Sequence, residues 1–433
     1  MKVYLISLGC AKNYVDSEVI LGNLKMKLTP NLEEADLILI NTCAFIEPAK
    51  KEAIDTILEI IDKKLPNQKL VVSGCLSTRY QGEIESLFPE VDLFISIKDY
   101  PHLKEKINHL FNKNVLSSNF DMNERMITTS IRSVYVKLSE GCNNHCTYCA
   151  IPLIRGNFVS RDKESIIREV KQLIENGAYE INLISQDTTN YGYGLYKDYG
   201  IVELLNDLDH FDGDYIIRML YLYPSLVSDK LIDYIKNSKH VVPYFDIPLQ
   251  HSESRLLKKM NRHSDKEFNY NLIKKIQKEI PNAIIRTTFI VGFPSETEEE
   301  FEDLLSFVKE LKFDRMGAFS YSKEEGTKGY SMKNQIDEDV KKERLERLYM
   351  AQDEIAYQKN QEQIGLIFDC LIVEYDYNEY AYLGRSYAYA PDDVDGYINI
   401  YSNEELNIGD VVKVKIIGAD ETGLLAEVYR NEG

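Results

Sequence analysis

Apolar residues near the start of the chain fall in short unbroken runs: Val3–Leu8, Leu37–Ile40, Leu70–Val72 and, more weakly, Phe94–Ile97. Unbroken rather than alternating apolarity is the pattern of strands buried on both faces. Between the runs lie Asp16–Met26, Pro48–Lys63 and Gln81–Phe88, whose apolar spacing and charged faces suit crossover helices. Strands alternating with helices predict an α/β unit with an open, doubly wound parallel sheet.

A polar, aperiodic stretch over 111–130, with Ser117-Ser118-Asn119 and Thr128-Thr129-Ser130, reads as a linker. Beyond it the strand-like runs resume at Val134–Leu138, Glu180–Ile184, Ile216–Leu222, Tyr244–Leu249, Ile284–Val291 and Met316–Tyr321. Helical stretches separate them, among them Lys163–Asn176, Leu226–Asn237, Asp265–Lys278 and Thr297–Leu311. Six strand–helix units make a partial barrel, short of the full eight. Asp337–Gln363 reads as one long charged helix, and from Ile367 the period changes to short alternating segments with turn residues. That change predicts a small antiparallel β-barrel of OB-like type. The expected domains are therefore 1–115, 128–362 and 365–433.

Composition narrows the class. With 433 residues, 44% hydrophobic and 28% charged, the chain has the balance of an ordinary globular protein and too much apolar content for wholesale disorder. No window is apolar enough for a membrane span and no signal peptide opens the chain, so a cytoplasmic location without membrane association is expected. The net charge of −19 disfavours generic nucleic-acid binding and suits a basic partner. The acidity extends to the last segment, where Cys370–Gly433 carries thirteen acidic residues, Asp393, Glu421 and Glu432 among them, against four basic ones. A barrel gripping RNA needs the opposite sign.

Seven cysteines in such a chain point to metal or catalysis rather than disulfides. Cys142, Cys146 and Cys149 follow the first strand of the second unit within eleven residues, Ser139 to Cys149. Three thiolates can hold three irons of a four-iron, four-sulfur cluster and leave the fourth open to an exogenous ligand, which in radical enzymes is S-adenosylmethionine. Tyr148, between the last two cysteines, is placed to lie near the adenine. A zinc site is the alternative, with His145 as a fourth ligand. Cys10, Cys43 and Cys75 are far apart in sequence, yet each follows an expected parallel strand. Strand carboxyl ends share one sheet edge, so the three thiols can converge on a second open-iron cluster. Cys370, at the start of a β-segment, reads as core. Ser185-Gln186-Asp187-Thr188, Gln250-His251 and Arg286 sit at barrel strand ends or in the fifth strand, where barrel active sites gather, although caps and salt bridges explain such residues equally well. The acidic run Glu296–Glu302 reads as a helix N-terminus.

These motifs, with Ser7-Leu8-Gly9-Cys10-Ala11-Lys12-Asn13-Tyr14-Val15-Asp16-Ser17-Glu18, Cys149-Ala150-Ile151-Pro152-Leu153-Ile154-Arg155-Gly156 and Phe245-Asp246-Ile247-Pro248-Leu249-Gln250-His251-Ser252, resemble the radical S-adenosylmethionine methylthiotransferases over essentially the whole chain. Within that family they are similar to the branch that modifies an aspartate of small-subunit ribosomal protein twelve. Tyr14 departs from a usual leucine, and Tyr389 from a usual aspartate. The resemblance implies two 4Fe-4S clusters, one on Cys10, Cys43 and Cys75 and one on Cys142, Cys146 and Cys149. It also implies S-adenosylmethionine, with Tyr148, Gln186 and Arg286 as its contacts, serving as radical source and methyl donor. The implied product carries a methylthio group on the β-carbon of the aspartate, and an electron donor of unspecified identity is required. The same chemistry on adenosine-37 of transfer RNA is the alternative, and a zinc-bearing RNA-binding scaffold a third reading.

Overall fold

The computed structural model describes residues 1–112, 120–392, 394–420 and 423–430. Ser117-Ser118-Asn119 of the expected linker, the domain ends at 115 and 433, and Asp393, Glu421 and Glu432 lie outside the described residues.

Five strands, β1 (Lys2–Ser7), β2 (Lys27–Leu28), β3 (Leu37–Thr42), β4 (Lys69–Gly74) and β5 (Leu93–Ile95), form the first sheet in the order β2-β1-β3-β4-β5. Every pairing is parallel. Successive residues of β3 and β4 feed opposite cores: Ile38, Ile40, Leu70 and Val72 pack with Ile57 of helix α2 (Glu47–Lys63). Leu37, Leu39 and Val71 pack with Ile20 and Leu24 of α1 (Ala11–Leu24). This two-sided burial is why the strands read as unbroken apolar runs. The short helices α3 (Cys75–Arg79) and α4 (Glu83–Leu87), and then α5 (Leu103–Leu110), complete the unit. The helix expected over Gln81–Phe88 is shorter, because Gly82 takes a left-handed φ of 86° and breaks it from α3. Helix α1 starts five residues earlier than its apolar period suggested.

In the second sheet, β6 (Ser133–Lys137) is followed by a small antiparallel pair, β7 (Ser139–Glu140) and β8 (Val159–Ser160), which brackets the Cys142–Cys149 loop. Five further strands join β6: β9 (Glu180–Ile184), β10 (Ile216–Met219), β11 (Val241–Asp246), β12 (Ile284–Val291) and β13 (Arg315–Ser320). The six stand in chain order and all run parallel, with β6 and β13 as the two edges. Chain order with helical crossovers is the partial barrel expected. The helices are α6 (Ile151–Arg155), α7 (Lys163–Glu175), α8 (Ile201–Leu208), α9 (Asp229–Asn237), α10 (Ser254–Lys259), α11 (Lys266–Glu279) and α12 (Glu298–Leu311), with α13 (Glu338–Glu362) leading out. Strand β11 lies three residues upstream of its expected position. Its register against β10 jumps from Ile217↔Val241 to Met219↔Phe245, with Pro243 in the irregularity, where a missing N–H does least harm.

The C-terminal strands β14 (Ile367–Asp376), β15 (Ala381–Arg385), β16 (Ile398–Tyr401), β17 (Val411–Asp420) and β18 (Gly423–Val428) close into a barrel in the order β14-β15-β16-β18-β17. It is antiparallel except for the β16–β18 pair, which is parallel. Cys370 is fully buried in its core.

Packing between the sheets is extensive. Val15 and Val19 of α1 bury against Ile184, Leu220 and Tyr244 of the second sheet and against Ala390 near the barrel. Glu180 accepts from Arg218 at 3.0 Å and from Arg385 of the barrel at 2.6 Å. No described helix is long and apolar enough to cross a membrane.

Candidate active site at two cysteine triads

Strand order in the first sheet reverses between β1 and β3, and ligands of open α/β sheets bind at the carboxyl ends beside such a switch point. Cys10 follows β1 and caps α1, Cys43 follows β3, and Cys75 opens α3 directly after β4. Asn13 ties these ends together: its amide donates to the carbonyls of Leu8 at 3.1 Å and Thr42 at 2.8 Å, and its Oδ1 lies 3.5 Å from Cys75 Sγ. Gly9 has a φ of 88°, and a Cβ there would lie 2.6 Å from Cys43 Cβ. Only glycine lets the Cys10 turn approach Cys43 so closely. Cys43 and Cys75 are buried, whereas Cys10 is exposed.

The second triad is held by its own loop and by what packs on it. The Cys142 N–H donates to Gly156 O at 3.1 Å, the Cys149 N–H to Cys146 O at 3.0 Å and the Thr147 N–H to Met260 O at 3.0 Å. His145 takes a φ of 46° and is exposed. Arg262 Nη1 lies 3.8 Å from Cys146 Sγ, while its guanidinium stacks 4.1 Å over Tyr223 and donates to Pro248 O at 2.7 Å. Asn144 donates to Asp187 at 2.9 Å, and burial raises the Asp187 carboxyl above the usual range.

A buried charge network joins the triads. Arg155, six residues past Cys149, donates to Asn13 Oδ1 at 2.6 Å, Asp16 at 3.0 Å and Glu140 at 2.8 Å, and its Nη2 sits 3.7 Å from Cys75 Sγ. Lys137 bridges Asp16 and Glu140 from the other side. Burial would raise Glu140, but Lys137 and Arg155 hold it well below the usual carboxylate range. The thiols respond to the same charges. Burial pushes Cys75 up to about 12 despite Arg155, and it also raises Cys43. Cys10 ends below its ordinary value, because Lys12 and Arg155 outweigh its burial. In the second triad burial raises Cys142 and pushes Cys149 up to about 12.

Both donor sets suit iron–sulfur clusters: three thiols each, gathered at strand ends or in one loop, with cations close to Cys10, Cys75 and Cys146 to offset thiolate charge. Among the described residues no group of three or more His, Cys, Asp or Glu is placed to hold a single metal ion, the arrangement a closed zinc site demands.

Residues 136–308 match the radical SAM superfamily, 2–96 the uncharacterized protein family UPF0004 and 364–428 the TRAM domain. The ribosomal protein uS12 methylthiotransferase RimO of Aquifex aeolicus (strain VF5) is 46% identical over 96% of this chain and 94% of its own. The RimO of Clostridium botulinum (strain Okra / Type B1) is 45% identical over 99% of this chain and 98% of its own. The chain belongs to the RimO methylthiotransferase family. The fold is shared more widely. The radical S-adenosylmethionine methyltransferase TsrM from Kitasatospora setae, with cobalamin and a [4Fe-4S] cluster bound, superposes with a TM-score of 0.54 at 13% identity over 74% of each chain. The cobalamin-dependent radical enzyme OxsB, with aqua-cobalamin bound, gives 0.51 at 11% identity over 81% of this chain and 56% of its own.

The other residues singled out from the sequence lie around this RimO-type centre in different ways. Tyr148 packs among Leu256, Met260, Phe293 and Tyr321, under the loop. Gln186 donates to Glu140 at 3.4 Å, on the edge of the bridging network. Arg286 is engaged by Asp246 at 3.0 Å and by Asp395 at 3.4 Å. His251 is fully buried 3.6 Å from Glu296, and Glu296 itself is no solvated helix-start residue, since it accepts from Arg344 at 2.7 Å and from the Gly292 N–H at 2.8 Å. Sequence reasoning did not single out Arg155, Lys137, Glu140 or Arg262 as site residues. Two of them carried a signal: Lys137 as a lysine in the otherwise apolar run Val134–Leu138, and Arg155 as an arginine shortly after Cys149.

Proposed function

We propose that this chain places a methylthio group on the β-carbon of an aspartate side chain in ribosomal protein uS12. The observation that carries this reading is two three-thiol sites in one chain, with Arg155 reaching Asn13, Asp16 and Cys75 of one and Glu140 at the start of the other's loop. Cys142, Cys146 and Cys149 would hold one 4Fe-4S cluster and the S-adenosylmethionine bound there, with Tyr148, Gln186 and Arg286 around it. Cys10, Cys43 and Cys75 would hold the other. Bound there, such groups supply one-electron cleavage of S-adenosylmethionine, which breaks an unactivated C–H bond, and sulfur at an open iron.

The chain's own residues supply placement. Gly9 and Asn13 hold three strand ends in one geometry, and the β7–β8 pair fixes the loop of the second triad. Arg155, Asp16, Glu140 and Lys137 lock the triads at a set separation, the positional control on which a two-centre transfer depends. The three units divide the work: 1–115 carries one triad, 128–362 the other, and 365–433 meets the substrate. Thirteen acidic against four basic residues in Cys370–Gly433 favour encounter with a basic ribosomal protein and disfavour transfer RNA. The setting is the cytoplasm, away from membranes, with an external electron donor. Anaerobic reconstitution with iron and sulfide, followed by reaction with S-adenosylmethionine, a reductant and either uS12 or transfer RNA, tests this by mass spectrometry. Methylthiolated transfer RNA beside unmodified uS12 would overturn it.

A further inference from the structure

Nine lysines and arginines are buried among the described residues, and eight of them form ion pairs with a carboxylate. Lys12 is the exception. Its ammonium donates to one carbonyl, Ser185 O at 3.0 Å, and lies 3.9 Å over the Tyr221 ring. Cys10, Glu140 and Asp246 act on it from a distance, but no carboxylate pairs with it directly. A buried cation without a direct partner is costly, and such groups are kept where an anion completes them.

Its position narrows the anion. Lys12 is two residues past Cys10, in the first turn of α1, yet its side chain crosses to the second sheet. Ser185 directly follows β9 and Tyr221 follows β10, the strand ends where barrel-type sites gather. Tyr221 is fixed there with a φ of 62°, and its N–H donates to Asp246 at 2.9 Å. The ammonium therefore stands between the exposed Cys10 and the carboxyl ends of β9 and β10 in the second sheet.

We propose that Lys12 is a specificity-determining residue that binds the carboxylate of the target aspartate. The inference rests on the function proposed above, and it names what that reading leaves open: how an aspartate is told from its neighbours. The carbon to be modified is bonded directly to the carboxylate carbon. An ion pair to Lys12 therefore brings that carbon to the gap between the triads.

The test compares the binding of uS12 carrying Asp, Asn or Ala at the target position to reconstituted wild type, Lys12→Met and Lys12→Arg. S-adenosylmethionine affinity, iron content and the electron paramagnetic resonance signals are followed in parallel. Wild type prefers Asp over Asn by roughly 10–100-fold, the worth of a charge-assisted hydrogen bond. Lys12→Met loses that preference while S-adenosylmethionine affinity and the signal of the Cys142, Cys146 and Cys149 cluster are kept, and Lys12→Arg keeps most of the preference. The proposal is overturned if wild type binds the Asn form as tightly as the Asp form, a result that needs no enzyme variant. It is also overturned if Lys12→Met keeps the preference, loses S-adenosylmethionine affinity instead (the cofactor's carboxylate being the anion), or changes only the signal of the Cys10, Cys43 and Cys75 cluster. Normal modification of uS12 with an unaltered preference in Lys12→Met sinks this proposal alone, whereas a wild type that modifies only transfer RNA sinks the substrate reading as well.

Discussion

The two triads reach the same donor set by opposite routes. Cys142, Cys146 and Cys149 belong to one loop, so local chain geometry does most of the work, and Arg262 brings a cation beside the Cys146 sulfur. Cys10, Cys43 and Cys75 come from three strand ends, held together only because β1, β3 and β4 are neighbours. Their surroundings also differ: Lys12, Arg155, Asp16 and Asn13 crowd the dispersed triad, whereas Arg262, Asp187 and Asn144 flank the loop triad. A site built by topology has to be stabilised by contacts far along the chain, and one built by a loop does not.

The largest expected effect separates the triads by chemistry. Changing Cys142, Cys146 and Cys149 together to Ala is expected to remove about half the iron of the two-cluster protein and abolish deoxyadenosine formation. Changing Cys10, Cys43 and Cys75 leaves deoxyadenosine formation measurable while methylthiolated uS12 disappears. Iron and sulfide analysis with chromatography of the nucleoside checks both, and methylthiolation at the normal rate by the second variant would erase the distinction.

Next comes the bridge. Arg155→Met leaves Asp16 and Glu140 with Lys137 as their remaining partner in a buried site, an expected cost of about 1–3 kcal/mol. Chemical denaturation should show that loss, and the iron lost first should be that of the dispersed triad. Of similar size is Gly9→Ala, which combines a left-handed φ with a Cβ 2.6 Å from Cys43 Cβ. The strain is worth about 1–3 kcal/mol. The expected outcome is a weakened Cys10, Cys43 and Cys75 cluster beside an unchanged loop cluster, read by spectroscopic quantitation of each.

The mildest test needs no variant. In metal-free protein the Cys10 thiol lies below its ordinary value, since Lys12 and Arg155 outweigh burial, whereas burial puts Cys75 and Cys149 at about 12. The thiolate is the form that reacts. As pH rises, Cys10 should therefore be alkylated first, and Cys75 and Cys149 should stay protected up to about pH 10. Peptide mapping after iodoacetamide treatment at stepped pH reads the order directly. Labelling of Cys149 ahead of Cys10 would contradict the electrostatic contrast.

Much of this architecture is legible without coordinates because burial on both faces leaves unbroken apolar runs, as in β3 and β4, and because cysteines placed after such runs share a sheet edge. What escaped has a common cause. The first two turns of α1 carry the polar residues Lys12, Asn13, Asp16 and Ser17, yet all four are buried. Hydrophobic periodicity assigns such residues to solvent, so the helix seemed to begin at Asp16 instead of Ala11. The partners of Lys12 and Asp16, namely Ser185, Arg155 and Lys137, lie more than a hundred residues away, beyond the reach of any local pattern. Strand β11 was displaced for a different reason. Pro243 argues against a central strand, and only the irregular register with β10 shows how one absorbs it.

The burial of Val15 and Val19 against Ile184, Leu220, Tyr244 and Ala390 also sets a clock. The ribosome makes α1 first, but the last surface that α1 needs emerges only after residue 390 has been synthesised. At about 5–20 residues per second that is a wait of roughly 20–75 s. During it Cys10, Cys43 and Cys75 are present without the contacts that later enclose them. A nascent chain would be open to metal delivery in this interval and also to oxidation, so the order of translation sets when this centre can be loaded.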